Sequence, residues 1–245
     1  MANSYVKSKN YKEKYYPLSC VLCLDCKHLQ IKHLIKPKIL FENYMYVSGT
    51  SPIFVKHFEE FFKKIKRTIK LDKSKDKILD IACNDGSFLN FFKKDNFKNV
   101  VGIEPAKNLR YLNSSKKIDI NTIFFNHKNN SNLKKKYKEF KVITANNVFA
   151  HVPDLRNFAL GVKNILTKDG LFIFEVSYLK DVLKKLTFDT IYHEHMSYHA
   201  LGPLINFFDS INLEVIDFDL VEAQGGSIRV YVGHRKKGNI TTRIK

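Results

Sequence analysis

Three histidines, two tyrosines and a glutamate fall within the eight residues Tyr192-His-Glu-His-Met-Ser-Tyr-His199. Packing alone seldom gathers that many polar rings. Histidine is the side chain whose ordinary pKa lies near neutrality, so it can take a proton and hold it. Tyr192 adds a hydrogen-bond donor and Glu194 an orienting acceptor. A general base beside a ligand, with His195 in the middle of the run, is one reading. A metal site is a second, because His195 and His199 stand four apart and His193 or Glu194 could join them, although no H-E-x-x-H spacing is present. A cluster with only a packing role is the third. A smaller concentration precedes it in Asn146-Asn147-Val-Phe-Ala-His151-Val-Pro-Asp154. Adjacent amides at the carboxyl end of an apolar run, followed by a histidine, sit where open α/β sheets bind ligands. Asp154 before Leu155 also reads as a plain helix N-cap.

The element that must position these groups is Ile78-Leu-Asp-Ile-Ala-Cys-Asn-Asp-Gly86, an apolar run that breaks into small and polar residues. With the helically spaced Ser87–Lys94 behind it, this reads as buried strand, tight loop, helix. Val100-Val-Gly-Ile-Glu-Pro105 follows as a second buried strand ending in Glu104, the place where such folds hold ribose hydroxyls on a carboxylate. A dinucleotide fingerprint would need three glycines, and only Gly86 is present. The pattern is closer to the D-x-G-x-x-x-G loop of class I S-adenosylmethionine (SAM) methyltransferases, with Asp80 in the strand and Ala82 where that pattern has its first glycine. A strand and loop with no nucleotide ligand is the plainer alternative.

From residue 76 strand and helix alternate. The pattern predicts strands at 77–82, 99–104, 120–125, 141–146, 171–177, 213–220 and 227–233, with helices at 86–95, 106–112, 154–166 and 199–211. Gln224-Gly-Gly226 between the last two strands suits an antiparallel edge pair. The result is an α/β, Rossmann-like, seven-stranded and mostly parallel sheet. Ahead of it, Phe54, Phe58, Phe61, Phe62, Ile65 and Ile69 recur at helical spacing. Residues 37–52, rich in Tyr, Ser, Thr and Gly, read as a loop offering hydroxyls to a polar ligand or packing its tyrosines. Residues 1–16 read as poorly ordered.

Cys20-x-x-Cys23-x-x-Cys26 holds three thiols, and a closed zinc site needs four ligands. Free cysteines on a short strand or turn fit better, in a reducing, cytoplasmic setting. No apolar run is long enough for a membrane span, and the N-terminus lacks a signal-peptide core. The net charge of +18 raises nucleic-acid binding, but only six of the 42 basic residues are arginine, and the lysines are spread along the chain. That distribution argues against a nucleic-acid partner and still suits a phosphate-bearing substrate.

These blocks together resemble the SAM-dependent sugar C-methyltransferases that act on nucleoside-diphosphate keto-deoxysugars. The matching stretches are Pro17-Leu18, Cys23-x-x-Cys26, Gln30, Tyr44-Met-Tyr46-x-Ser-Gly-Thr-Ser51, Leu79–Gly86, Gly102–Pro105, Asn147–Asp154, Phe188–His195 and Gly225-Gly-Ser-Ile-Arg229, in family order over residues 17–233. The resemblance implies a class I methyltransferase domain over 54–245 behind a small N-terminal segment, 1–53. It implies His195 as the base, Tyr192 and Glu194 near it, and His151 and Tyr46 binding or polarising the substrate. It implies SAM held by Asp80, Ala82, Asn84, Asp85, Gly86 and Glu104, with Asn146 and Asn147 lining the same cleft. Cys23 and Cys26 match the second of two cysteine pairs in the family's zinc module, and the first pair has no counterpart, so zinc is doubtful. The family's second α/β domain has no counterpart either, and the chain looks shortened at both ends. An active C-methyltransferase is the leading expectation. Its rivals are a catalytically silent SAM-binding remnant and an O- or N-methyltransferase of another acceptor.

Overall fold

The computed structural model describes residues 8–12, 14–109, 112 and 118–235. Its main sheet is built from β3 (Lys77–Ile81), β4 (Asn99–Ile103), β5 (Asp119–Asn121), β6 (Phe140–Asn146), β7 (Leu166–Ser177), β9 (Leu213–Val221) and β10 (Ser227–His234), in the order β5-β4-β3-β6-β7-β10-β9. The first five pair in parallel. Only β10 runs antiparallel, against both β7 and β9. Seven mostly parallel strands with an antiparallel pair at one edge are what the strand pattern predicts, and the order is decided by the tertiary structure.

Strand periodicity divides the core into two faces. Leu79, Ile81, Ile143, Ala145, Phe172 and Phe174 point to one side, toward α5 (Leu155–Ile165) and α7 (Leu201–Asp209). Ile78, Val142 and Ile173 point to the other, under α2 (Pro52–Thr68) and α3 (Ser87–Lys94). Helix α2 starts sharply because Ser51 accepts the Phe54 N–H and Pro52 occupies the first turn. It then buries Phe58, Phe61, Phe62 and Ile65, worth about 1.5–3 kcal/mol each. Asp154 is the N-cap of α5, accepting the Asn157 N–H at 2.9 Å.

A second, three-stranded sheet joins β1 (Cys20–Leu22), β2 (Leu29–Ile31) and β8 (Ser197–Tyr198). It brings the start of the chain against the histidine-rich segment. The stretch 37–52, expected as loop, contains α1 (Pro37–Phe41) and a 3-10 turn at Ser48–Thr50. Two further helices escaped the sequence pattern. These are α4 (Asn130–Tyr137), which is mostly Asn and Lys and buries only Asn130, Leu133 and Tyr137, and α6 (Leu179–Lys185), which buries only Val182. With so few apolar anchors, neither shows a clear helical stripe.

The strand expected at 120–125 stops at Asn121, and Phe124 and Phe125 turn away to line a cavity. Within the helix expected at 106–112, Lys107–Leu109 form a 3-10 turn and Leu112 is helical, and residues 110 and 111 lie outside the described residues. The expectation for residues 1–16 falls partly outside them as well, at 1–7 and 13.

Candidate active site

The carboxyl ends of β3, β4 and β6 open into a cavity of about 810 Å³, within the usual range for small-molecule sites. The loop after β3 forms its floor and is unusually wound. Ala82, Asn84 and Gly86 have φ of 55°, 54° and 72°. At Ala82, where related loops carry glycine, the methyl group is tolerated in a left-handed conformation that costs a residue of this chirality about 1–2 kcal/mol.

Glu104 at the end of β4 braces that loop. One carboxylate oxygen accepts the Asn84 N–H at 2.7 Å and the other accepts the Ala106 N–H at 2.8 Å. Each oxygen keeps a second lone pair for a hydroxyl. Burial raises the Glu104 pKa, and the two N–H donors oppose that. The Asn84 side chain is turned toward the 44–51 segment. Its amide donates to the Tyr46 carbonyl at 2.9 Å, and its oxygen accepts the Ser48 N–H at 2.9 Å.

Of the residues expected to hold a cofactor, Ala82, Asn84, Glu104, Asn146 and Asn147 line the cavity. Asp80, Asp85 and Gly86 are not part of its lining. Asp80 points under the loop, on the face it shares with Ile78, where Thr144 Oγ1 donates to it at 2.6 Å. Asp85 is turned onto Ser87, accepting from its N–H at 3.2 Å and its hydroxyl at 2.7 Å. Gly86 is the N-cap of α3.

On the opposite wall, His151, Tyr46, Tyr192 and His195 all line the cavity. Glu194 is buried behind it, with 2 % of its surface exposed. The rings of His151 and His195 lie 5.1 Å apart, and His151 stacks on Phe41 of α1 at 5.4 Å. His195 Nδ1 lies 2.8 Å from the Thr190 carbonyl, which can only accept, so Nδ1 carries the proton. Nε2 is then a bare lone pair, and it receives the Tyr192 hydroxyl at 3.1 Å. Burial holds the His195 pKa below its ordinary value, partly offset by the Thr190 bond. Burial, with His195 alongside, pushes His151 down to about 3. Burial and then Glu194 push Tyr192 up to about 12, so its hydroxyl stays a donor.

Sequence reasoning missed Phe41 and Phe124, which line the cavity but follow no pattern, and Gln224 in the turn before β10. Tyr44 stood out only as part of a hydroxyl-rich stretch. It also lines the cavity, its pKa raised by burial and then by Glu194, Tyr192 and Tyr46.

The donor set fits SAM. Both side-chain amide atoms of Asn146 are buried and without a hydrogen-bond partner at the cavity wall, which marks a missing polar ligand. Zinc does not fit. Among the described residues no three His, Cys, Asp or Glu side chains gather as a metal group. Cys20, Cys23 and Cys26 are free thiols, Cys20 and Cys26 exposed. His199, part of the alternative metal reading, stacks on Phe149 in the core at 5.2 Å. No helix among the described residues is long and apolar enough to cross a membrane.

Comparison with known proteins agrees with this geometry. The family described as "Methyltransferase domain" matches residues 54–217, and one described as "Putative zinc binding domain" matches residues 1–41. The C-methyltransferase NovU of Streptomyces niveus is 32% identical over 219 residues, covering 89% of this chain and 52% of that protein. The chain therefore spans about half the length of that curated relative. Among solved structures, the PH0226 protein from Pyrococcus horikoshii superposes with a TM-score of 0.61 at 15% identity, over 82% of this chain and 97% of that one. An S-adenosylmethionine-dependent methyltransferase from Clostridium acetobutylicum superposes with a TM-score of 0.56 at 13% identity, over 74% and 92% of the two chains. The sheet order, the cavity at its carboxyl end and the family match over most of the chain lead to one conclusion: the protein belongs to the methyltransferase-domain family, with the class I fold and S-adenosylmethionine as its cofactor.

Proposed function

We propose that the chain catalyses C-methylation, deprotonating the carbon next to the ketone of a nucleotide-activated keto-deoxysugar and methylating that carbon. The observation that carries this reading is the state of His195. Its ring lines the cavity and its Nδ1–H is committed to Thr190, so Nε2, which accepts the Tyr192 hydroxyl, is the nitrogen left to take a proton, and burial holds its pKa below the ordinary value. Only methyl transfer to carbon needs a proton removed from carbon. A proton on carbon beside a ketone is acidic enough to be taken by an imidazole only if the developing oxyanion is stabilised. Tyr192, kept protonated, supplies one O–H donor for it once that hydroxyl turns from His195 Nε2 to the substrate oxygen, and His151 and Tyr46 line the same wall.

When bound, SAM supplies an electrophilic methyl group, and Glu104, Asn146 and Asn147 are the residues that would hold it. Lys36, Lys38 and Lys128 in the cavity lining favour a substrate bearing a diphosphate. The relationship to a protein described as a C-methyltransferase supports the same reading.

The test is His195→Ala. Methyl transfer to a keto-sugar nucleotide falls by about 10²–10⁴-fold, while calorimetric SAM binding is unchanged. In D₂O the wild-type protein exchanges the hydrogen on the carbon next to the ketone, and the variant does not. Turnover retained in the variant, or methylation by the wild type without any such exchange, overturns the proposal.

A further inference from the structure

The segment that carries Tyr192 and His195 is held from behind by residues that contribute nothing to the cavity wall. The lining begins at Lys36, and no residue of the 14–35 stretch belongs to it. Yet this stretch makes a run of directed bonds to residues 193–198. His193 Nε2 donates to the Tyr16 carbonyl at 3.1 Å, with the Pro17 carbonyl at 3.3 Å, and its ring meets Tyr16 edge-on. Strand β2 pairs with β8, placing Leu29 opposite Tyr198 and Gln30 opposite Ser197. The Ile31 N–H donates to the Met196 carbonyl at 3.1 Å. His28 Nε2 lies 3.2 Å from the Ser197 hydroxyl.

An apolar cluster of Ile31, Ile35, Leu40, Met196 and Tyr198 seals the joint, with Tyr16, Leu29 and Ile191 packed on it. From the other side Met196 N–H donates to the Ala150 carbonyl at 2.8 Å, one residue from His151. The catalytic loop thus hangs between the hairpin and the turn that presents His151. Its own internal bond, His195 to Thr190, orients the ring but does not fix where the loop sits.

We infer that the N-terminal hairpin is the positioning element of the catalytic loop, and that His193 is its key positioning residue, holding His195 and Tyr192 in register with His151 through the Tyr16 and Pro17 carbonyls. This rests on the reading of His195 as the base, but the grip itself is a property of the structure and can be measured without turnover. Two carbonyls on one imidazole N–H also explain why a histidine stands at 193 beside the working groups. Position 193 asks for an N–H donor of this reach and does not ask for proton exchange.

The test compares His193→Phe, which keeps a ring and loses the donor, with His193→Gln, which keeps an N–H donor of similar reach, both in the full chain. In His193→Phe the amides of Met196 and Ile31 exchange faster with solvent, and the ¹⁵N signals of the His195 imidazole lose the single Nδ1–H form of the wild type. SAM affinity by calorimetry stays unchanged. His193→Gln restores the protection and the tautomer. With a keto-sugar substrate, kcat of the Phe variant falls by on the order of ten- to a hundredfold, KM stays within about twofold, and Gln recovers the rate.

Unchanged amide protection and an unchanged His195 tautomer in His193→Phe overturn the inference. So does a Gln variant as impaired as Phe, which would place the imidazole chemistry of His193 in the reaction. Failure of the base assignment looks different: His195→Ala stays active while His193→Phe still loosens Met196 and Ile31.

Discussion

Replacing Asp80 by asparagine tests whether the floor of the cofactor loop holds an acid that titrates near neutrality. Asp80 is 3 % exposed. Burial raises its pKa to about 7, the Thr144 hydrogen bond opposes the rise, and Glu104 adds to it. An unfolded aspartate titrates near 3.9, so the ionised form is penalised in the fold by about 3 pK units, or about 4 kcal/mol at pH 8. As pH falls through the folded pKa the carboxyl takes a proton and the penalty fades. Linkage between the two states puts the change from pH 8 to pH 5 at about 2–3 kcal/mol, with the acid side more stable. For a chain of this size that is a rise in melting temperature of about 5–10 °C.

Asp80→Asn removes this contribution while its oxygen still accepts from Thr144 Oγ1, at 2.6 Å in the native protein. Glu104 and the other groups titrate in both proteins, so the difference between the two melting curves isolates Asp80. The assay is thermal unfolding of both between pH 5 and 8 at constant ionic strength. Curves that run parallel across that range would refute the placement of Asp80 as a buried, protonatable acid.

Four further outcomes follow from the same geometry. Asn146→Leu leaves stability unchanged or slightly higher, because it removes two unpaired buried polar atoms, and weakens SAM by about tenfold; equal affinity in calorimetry would exclude Asn146 from the cofactor site. Ala82→Gly relieves the φ of 55° and raises stability by about 0.5–1 kcal/mol after the entropic cost of glycine; a lowered denaturation midpoint contradicts this. Glu175 lies beside Arg229 Nη2 at 2.7 Å and His57 Nε2 at 2.8 Å. Burial would raise its pKa, but those partners hold it below the ordinary value. Glu175→Gln therefore destabilises the fold by about 3–5 kcal/mol, read by chemical denaturation at pH 7. Finally, with the His195 pKa held down by burial, the acid limb of the kcat profile lies below the ordinary histidine value of about 6.5; a limb at or above that value argues for a different base.

The sequence by itself determined the sheet and several of the residues that line the cavity. Buried parallel strands write themselves as uninterrupted apolar runs, so Ile78–Ile81, Val100–Ile103 and Phe172–Val176 were legible without contacts. The loop at Ala82–Gly86 and the acid at Glu104 were legible because their roles depend on position at a strand's end. Tyr192 and His195 stood out because their types are improbable together. Tertiary structure alone decided the rest, since those outcomes depend on groups far apart in the chain. Phe41 stacks on His151 across 110 residues of sequence, and no local pattern records that approach. Asp80 and Asp85 look like ligand-binding acids in the sequence, but the side-chain alternation of β3 and the Ser87 bonds turn them away from the cavity. The hairpin around Cys23 and Cys26 reads as a metal module by spacing. Its observed contacts are hydrogen bonds and apolar packing against Met196 and Tyr198, because β8 completes its sheet from a segment more than 160 residues later.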